Sequence, residues 1–262
     1  MLTARRQSLK GLGVALAAAG LASAAPTGPA QASAAAPLVP PGATTLDALT
    51  AQLAKAPRRR DFKTVPMILN ARDQWDAEAL DAVLHYAGGP KQSWDNTDIG
   101  GPWLNVMRNA MNAQIWSFGH ADFLCVSATH GTAQLALYDA AMWSKYDLAK
   151  LAGKGFPQNS LVAAPAAAAA DPKDYENPHG AFSPAANSIE ALQRRGAVFL
   201  ACHNAVWELA GRLVATGVNH DHLGVEALCA ELTNHLIAGV VLTPGAVGTL
   251  VELASAGFAY AR

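Results

Sequence analysis

Charge is scarce in this sequence. Acidic and basic side chains make up only 15% of its 262 residues and nearly cancel, to a net −1. A nucleic-acid-binding surface needs a basic stripe or patch, so nucleic acid is set aside as a partner. Several motifs are missing as well. No Gly-x-Ser-x-Gly turn presents a serine nucleophile, and Ser127 falls in the middle of an apolar run. Neither Gly-x-Gly-x-x-Gly nor a P-loop occurs, which leaves nucleotide binding without motif support. No repeat of about 20 to 50 residues is visible, so a solenoid or propeller is not expected.

Apolar residues, by contrast, make up 51% of the chain, enough for one good-sized core, and one globular domain is the default. Ahead of it, residues 1–32 read as an export signal. Ala4-Arg5-Arg6-Gln7-Ser8-Leu9-Lys10 precedes a mildly apolar Gly/Ala/Leu run and the small-residue cleavage site Ala30-Gln31-Ala32, with Ala22-Ser23-Ala24 as the rival site. The paired arginines resemble the twin-arginine consensus, although Ser8 stands where Phe is commonest. The expectation is a periplasmic protein whose first partner is the Tat export machinery. Removing the segment takes away Arg5, Arg6 and Lys10 and no acid, which leaves a mildly acidic mature chain.

Export makes the cysteine count informative, because the periplasm forms disulfides. The chain has three cysteines, and an odd number cannot all pair within it. Cys125 lies in a strand-like apolar run and Cys229 in a helix-like one, so both read as small buried hydrophobes, and a bond between them stays open. Cys202 is the odd one out.

In order along the chain, residues 33–60 read as a mobile Pro/Ala-rich leader and a short helix. Arg58-Arg59-Arg60 closes that helix as a solvated end. Thr64–Asn70 reads as the first strand, with Pro66 favouring an edge or a strand start. Asp76–Ala87 reads as a helix, and Lys91–Pro102 as a loop whose Trp94, Asp95, Asn96 and Asp98 could rim a site. Val106, Met107, Ala110, Met111 and Ile115 give a further helical stripe. Ala121–Thr129 reads as a strand ending at His130-Gly131, with a helix over Thr132–Lys150. Residues 152–186 look like a Pro/Ala-rich insertion, either a lid or an unordered stretch. Asn187-Ser-Ile-Glu190 can form a capping box for a short helix that stops at Gly196.

The run Gly196-Ala-Val-Phe-Leu-Ala-Cys202 then reads as a buried strand. It passes straight into a helix with Val206, Leu209, Ala210 and Leu213 on its buried face. Leu223–Leu232 is helical and Leu236–Thr243 is a last strand. Thr243-Pro244 opens a final helix with Val247, Leu250, Val251, Ala254 and Phe258 inward. Apolar strands alternating with helices argue for an α/β protein: three α/β/α layers over a mainly parallel central sheet of about five strands.

Ligands of such sheets gather at the carboxyl ends of the strands, where helix N-termini offer free N–H groups. Two strand ends carry reactive side chains, His130 and Cys202. A thiolate is stabilised at a helix N-terminus, and an imidazole from His130 or from the adjacent His203 could hold it and later return a proton. A structural reading stands beside this one, with both histidines capping and Cys202 an inert buried thiol. Copper or zinc would suit Cys and His ligands, but no ligand spacing signals a metal, and Asn219-His220-Asp221-His222 is more simply a polar turn. No cofactor is expected.

The C-terminal part resembles the DsrE/DsrF-like (DsrE/YchN-type) family of sulfur-relay proteins. Ala201-Cys202-His203-Asn204-Ala205 is similar to the family's Cys-x-Asn motif at a strand end. Val240–Val247, running on to Leu250, Leu253 and Gly257-Phe258-Ala259-Tyr260, is similar to the closing strand and helix, and Ala128-Thr129-His130-Gly131 to an earlier His-Gly. The resemblance implies a compact α/β/α domain, a homo-oligomer (trimer or larger), and a cysteine that accepts sulfane sulfur and passes it between a donor and an acceptor protein. It casts Cys202, His130 and His203 as catalytic, and Gly131, Asn204, Thr243 and Pro244 as substrate-binding. The chain departs from the family in its export signal, in the insertion, and in Ala254, where Gln is usual. The alternative expectation is a non-catalytic module that binds a small molecule or metal, or serves assembly.

Overall fold

The computed structural model describes residues 36–164 and 171–262; the export segment expected at 1–32 lies outside the described residues. The chain runs through α1 (Thr44–Lys55), α2 (Ala77–Leu84), β1 (Lys91–Asn96), α3 (Trp103–Asn112), β2 (Leu124–Thr129), α4 (Ala140–Lys145) and α5 (Ala149–Ala152). It continues through α6 (Ile189–Arg194), β3 (Val198–Cys202), α7 (His203–Ala215), α8 (Val225–Asn234), β4 (Val241–Thr243), α9 (Ala246–Ser255) and β5 (Ala259–Ala261). All five strands are parallel, in the order β4-β3-β2-β1-β5. With helices on both faces, this is the three-layer α/β/α architecture expected from the alternating pattern.

The mainly apolar runs make β2 and β3, whose residues are all buried. Alternation along the strands then assigns the two faces. Leu124, Val126, Val198, Leu200 and Val241 pack in one cluster with Leu46 and Leu49 of α1, Leu80 and Val83 of α2, and Leu253 of α9. Cys125, Phe199, Ala201 and Leu242 face the opposite layer, with Met107 and Met111 of α3, Ile189 of α6, Leu213 of α7 and Leu228 of α8. Helix α9 leaves β4 at one edge, packs against β3, β2 and β1, and delivers the chain to β5 at the other edge.

Several expectations need correction. Thr64–Asn70 is not a strand: Met67 and Ile68 are exposed, and the segment lies against α7 and α8 without joining the sheet. The strand is instead Lys91–Asn96, which sits between β2 and β5. Its polar residues are accommodated by hydrogen bonds, with Asn96 Nδ2 donating to Ser127 Oγ at 2.8 Å and Ser127 and Thr129 hydroxyls bonded at 2.7 Å. Thr132–Lys150 is broken into a 3-10 run (Gly131–Leu137), α4 and α5, and the last residues pair as β5. The cap of α6 is Ser188, not Asn187: its hydroxyl accepts the Ala191 N–H at 3.2 Å. The helix ends as expected at Gly196 (φ +90°), whose N–H reaches Gln193 O while the Ala197 N–H reaches Leu192 O.

The described part of the leader, from Ala36 on, and the arginine cluster are also tied down. Leu38 is buried with Ala181 and Phe182, and its N–H bonds Arg194 O at 2.6 Å. Asp122, distant in sequence, caps α1 by accepting the Thr45 and Leu46 N–H groups at 2.9 Å. Arg60 pairs with the buried Asp76 at 2.9 Å and with Val240 O at 3.0 Å, and Asp76 also accepts the Leu242 N–H at 2.7 Å. The cluster therefore clamps the start of β4 instead of resting in solvent.

Described parts of the insertion are packed too. Tyr175 stacks on Trp116 at 4.2 Å, and Phe182 lies beneath the buried Arg195 guanidinium at 4.9 Å. Asn159 donates to Ala136 O and Tyr138 O.

Candidate active site at the carboxyl edge of the sheet

Cys202 ends β3 and is the residue from which α7 starts. Its backbone N–H is taken by the side-chain oxygen of Gln134 at 3.1 Å. Its sulfur accepts the N–H of Ala246, the first residue of α9, at 3.2 Å. The thiol thus sits where two helices begin, and neither helix has a side-chain cap. Unpaired N–H groups and the positive end of the helix dipole meet there, the setting in which cysteines become nucleophiles. The apolar residues packed with Cys202 are Ala128, Ala246, Ala205 and Leu250, and Cys202 itself is 5% exposed.

His130 reaches the same rim. It directly follows Thr129, which pairs with Ala201, the residue before Cys202. The two therefore occupy the next positions on neighbouring parallel strands, on the face that also carries Ala128. The crevice argument for their proximity is met by register. The His130 Nε2 lies 2.7 Å from Asp95 Oδ1, and the other oxygen of Asp95 accepts the Tyr260 hydroxyl at 2.9 Å. Because the Asp95 carboxylate can only accept, Nε2 is the donor of this pair, and the ring nitrogen left to face the thiol is Nδ1. Donation to Asp95 also raises the Tyr260 pKa above its usual 10.0.

Gly131 turns the chain away after His130 at φ +55°, and a Cβ there would lie 2.5 Å from Thr97 O. Only glycine fits without displacing backbone.

The other expected residues divide. Thr243 is in register with Cys202, but its hydroxyl bonds Ala201 O at 3.0 Å and so fastens β4 to β3. It is not the cap of α9; Gly245 holds that position. Asn204 abuts the same turn, since a Cβ on Gly245 would lie 2.7 Å from its Nδ2, and Pro244 is the half-buried residue between.

His203 lies elsewhere. Its Nε2 donates to Pro66 O at 2.9 Å and to Met67 O at 3.2 Å, and its Nδ1 is 4.0 Å from the Cys229 sulfur. Cys202 faces the α9 side of the sheet, whereas His203 packs into the opposite layer, so it does not touch the thiol. Burial pushes its pKa below the usual 6.5. It ties the 66–67 segment to α7.

All three cysteines are free, so the open Cys125–Cys229 bond is not formed. Burial pushes both of those thiols up to about 12. Among the described residues no group of three or more His, Cys, Asp or Glu side chains is placed to hold a metal ion.

Sequence reasoning had Asp95 only as a rim candidate in a supposed loop, and Tyr260 only as the end of the chain. Gln134 it missed altogether. The one available signal was the step from Trp94 to Asp95 and Asn96, polar residues ending a short segment ahead of Gly100-Gly101.

Fold and site together define a three-layer α/β/α protein that gathers a thiol, an imidazole and a carboxylate at the carboxyl edge of a parallel sheet. No family model matches the chain, and neither a curated protein nor a solved structure does.

Proposed function

We propose that this protein binds and transfers sulfane sulfur through Cys202, as an exported, DsrE-like sulfur carrier. The observation that carries the reading is the placement of Cys202 at two helix starts, opposite a histidine on the neighbouring strand that is already oriented by Asp95. His130 Nδ1 takes the thiol proton, and the thiolate attacks the outer sulfur of a donor. The S–S bond of the donor breaks and its remaining part leaves with the electron pair. Cys202 then holds a persulfide, which an acceptor thiol removes by the same displacement.

Cys125 and Cys229 are poor nucleophiles, because the thiolate is the reactive form and burial pushes both thiols up to about 12. The twin-arginine pattern supports a periplasmic setting, and the family resemblance supports a homo-oligomer. Competitive alkylation of the native protein tests the site directly. Cys202 is expected to react first, and a Cys202 as inert as Cys125 would overturn the reading.

A further inference from the structure

Arg195 closes α6 just ahead of β3, at the opposite end of that strand from Cys202, and is 0% exposed. Its Nη2 donates to the side-chain oxygen of Asn112 at 2.7 Å, while Nε and Nη1, both buried, have no partner. A second buried cation stands near it. Arg108 donates only to neutral acceptors: Asn187 Oδ1 at 2.8 Å, Phe182 O at 3.0 Å and Asn105 Oδ1 at 2.8 Å. Burial, and with it the charge of Arg108, pulls the Arg195 pKa down to about 9 against the opposing influence of Cys125, so the group keeps its charge at neutral pH.

Buried charges are ordinarily paired. Here no counter-charge is in place. Among the described residues no Asp or Glu forms an ion pair with Arg195 or Arg108. Residues 1–35 and 165–170, outside that set, contain no Asp or Glu, so no acidic side chain is left to fill the role. The face of Phe182 covers the guanidinium at 4.9 Å, but a ring face offsets only a fraction of the cost of burying a charge. Trp116 meets the same ring edge-on at 5.9 Å, and its buried Nε1 has no partner either. Of the seven buried side-chain atoms without a partner among the described residues, three are therefore N–H donors gathered around Phe182. A set of donors with excess positive charge and no acceptor calls for an anion.

We propose that a small inorganic anion, the size of chloride, binds against the Arg195 guanidinium within reach of Trp116 Nε1. The size follows from the cover over the site: Leu38, Ala181 and Phe182 are 0%, 4% and 3% exposed and pack together with Trp116, which shuts out a bulky organic ligand. The ion neutralises the two arginines and so fastens the leader, through Leu38, and the insertion, through Phe182, onto α3 and α6. The site is separate from Cys202 and does not depend on sulfur transfer.

The test uses the full mature chain freed of halide and held at constant ionic strength with sodium gluconate, so that screening does not change. Replacing gluconate by chloride is expected to raise Tm along a saturable curve, as binding to the folded state requires. Trp116→Phe keeps the ring contacts and loses the Nε1 donor, and its midpoint chloride concentration should rise about tenfold, the scale of one hydrogen bond to a charge. Arg195→Met should lose the chloride response. Wild-type crystals soaked in bromide should show an anomalous peak in contact with the Arg195 guanidinium, a readout that stands even if Arg195→Met fails to fold. A Tm indifferent to chloride, a response that survives in Arg195→Met, or no bromide at Arg195 overturns the proposal. A bromide peak without a response in solution is an adventitious ion only and overturns it as well. An Arg195-dependent shift with sulfate and none with chloride would overturn the assigned size of the ion.

Discussion

The backbone N–H of Ala246 points at the sulfur of Cys202 from 3.2 Å and joins residues 44 positions apart. The start of α9 therefore belongs to the thiol as much as β3 does. Ala246→Pro removes that donor, at a first helical position where proline is tolerated, and Gly245 (ψ 130°) already has the extended backbone that proline asks of its predecessor. The expected outcome is a Tm within a few degrees of wild type and alkylation of Cys202 slowed about tenfold, the scale of one charge-assisted hydrogen bond. Iodoacetamide kinetics with peptide mapping check it.

Asp95 orients His130. Asp95→Asn offers an amide where the carboxylate was and favours the wrong imidazole tautomer. Sulfur loading should fall by about 10²-fold, within the usual range for losing a positioned base. Tyr260→Phe removes only the second hydrogen bond on Asp95 and should lower loading by about threefold, the worth of one partly exposed hydrogen bond. A larger loss with Tyr260→Phe than with Asp95→Asn would reverse the assigned roles.

Stability should depend on pH through His203. Its folded pKa lies below 6.5, so in the window beneath 6.5 the unfolded chain binds more protons than the folded one. Its contribution is complete above 6.5 and is lost as pH falls through the folded value. The wild-type Tm should drop between pH 7.5 and pH 5.5, and His203→Gln, which still offers a donor to Pro66 O, should show a smaller drop.

Gly131 is a geometric requirement of the site. With φ +55° and a Cβ that would meet Thr97 O at 2.5 Å, Gly131→Ala should destabilise the fold by about 1–3 kcal/mol, read by urea unfolding. Gly153→Ala, also at positive φ (+91°) but with open space around its Cβ, should cost less.

What the sequence revealed follows burial. β3 is apolar throughout and β2 at four of its six positions because both faces are covered, and so LCVSAT and VFLAC are legible as strands. β1 reads KQSWDN, and its place inside the sheet depends on hydrogen bonds such as Asn96 to Ser127 that no local pattern announces. Asp95 was hidden with it. The apolar Val65, Met67, Ile68 and Leu69 mimic a strand, but Met67 and Ile68 are exposed and the segment serves His203 through its carbonyls. The Cys202 junction was legible because the change of period falls within a few residues. The direction of His203 was not, because it depends on α8, which follows much later in the chain.

The most direct measurement is the intact mass of the mature protein after incubation with a sulfane-sulfur donor. The expected result is a gain of one sulfur atom in the wild type and in Cys125→Ala, and none in Cys202→Ala. A wild type that stays unmodified, or a gain that survives in Cys202→Ala, would contradict the assignment of Cys202 as the sulfur-bearing thiol.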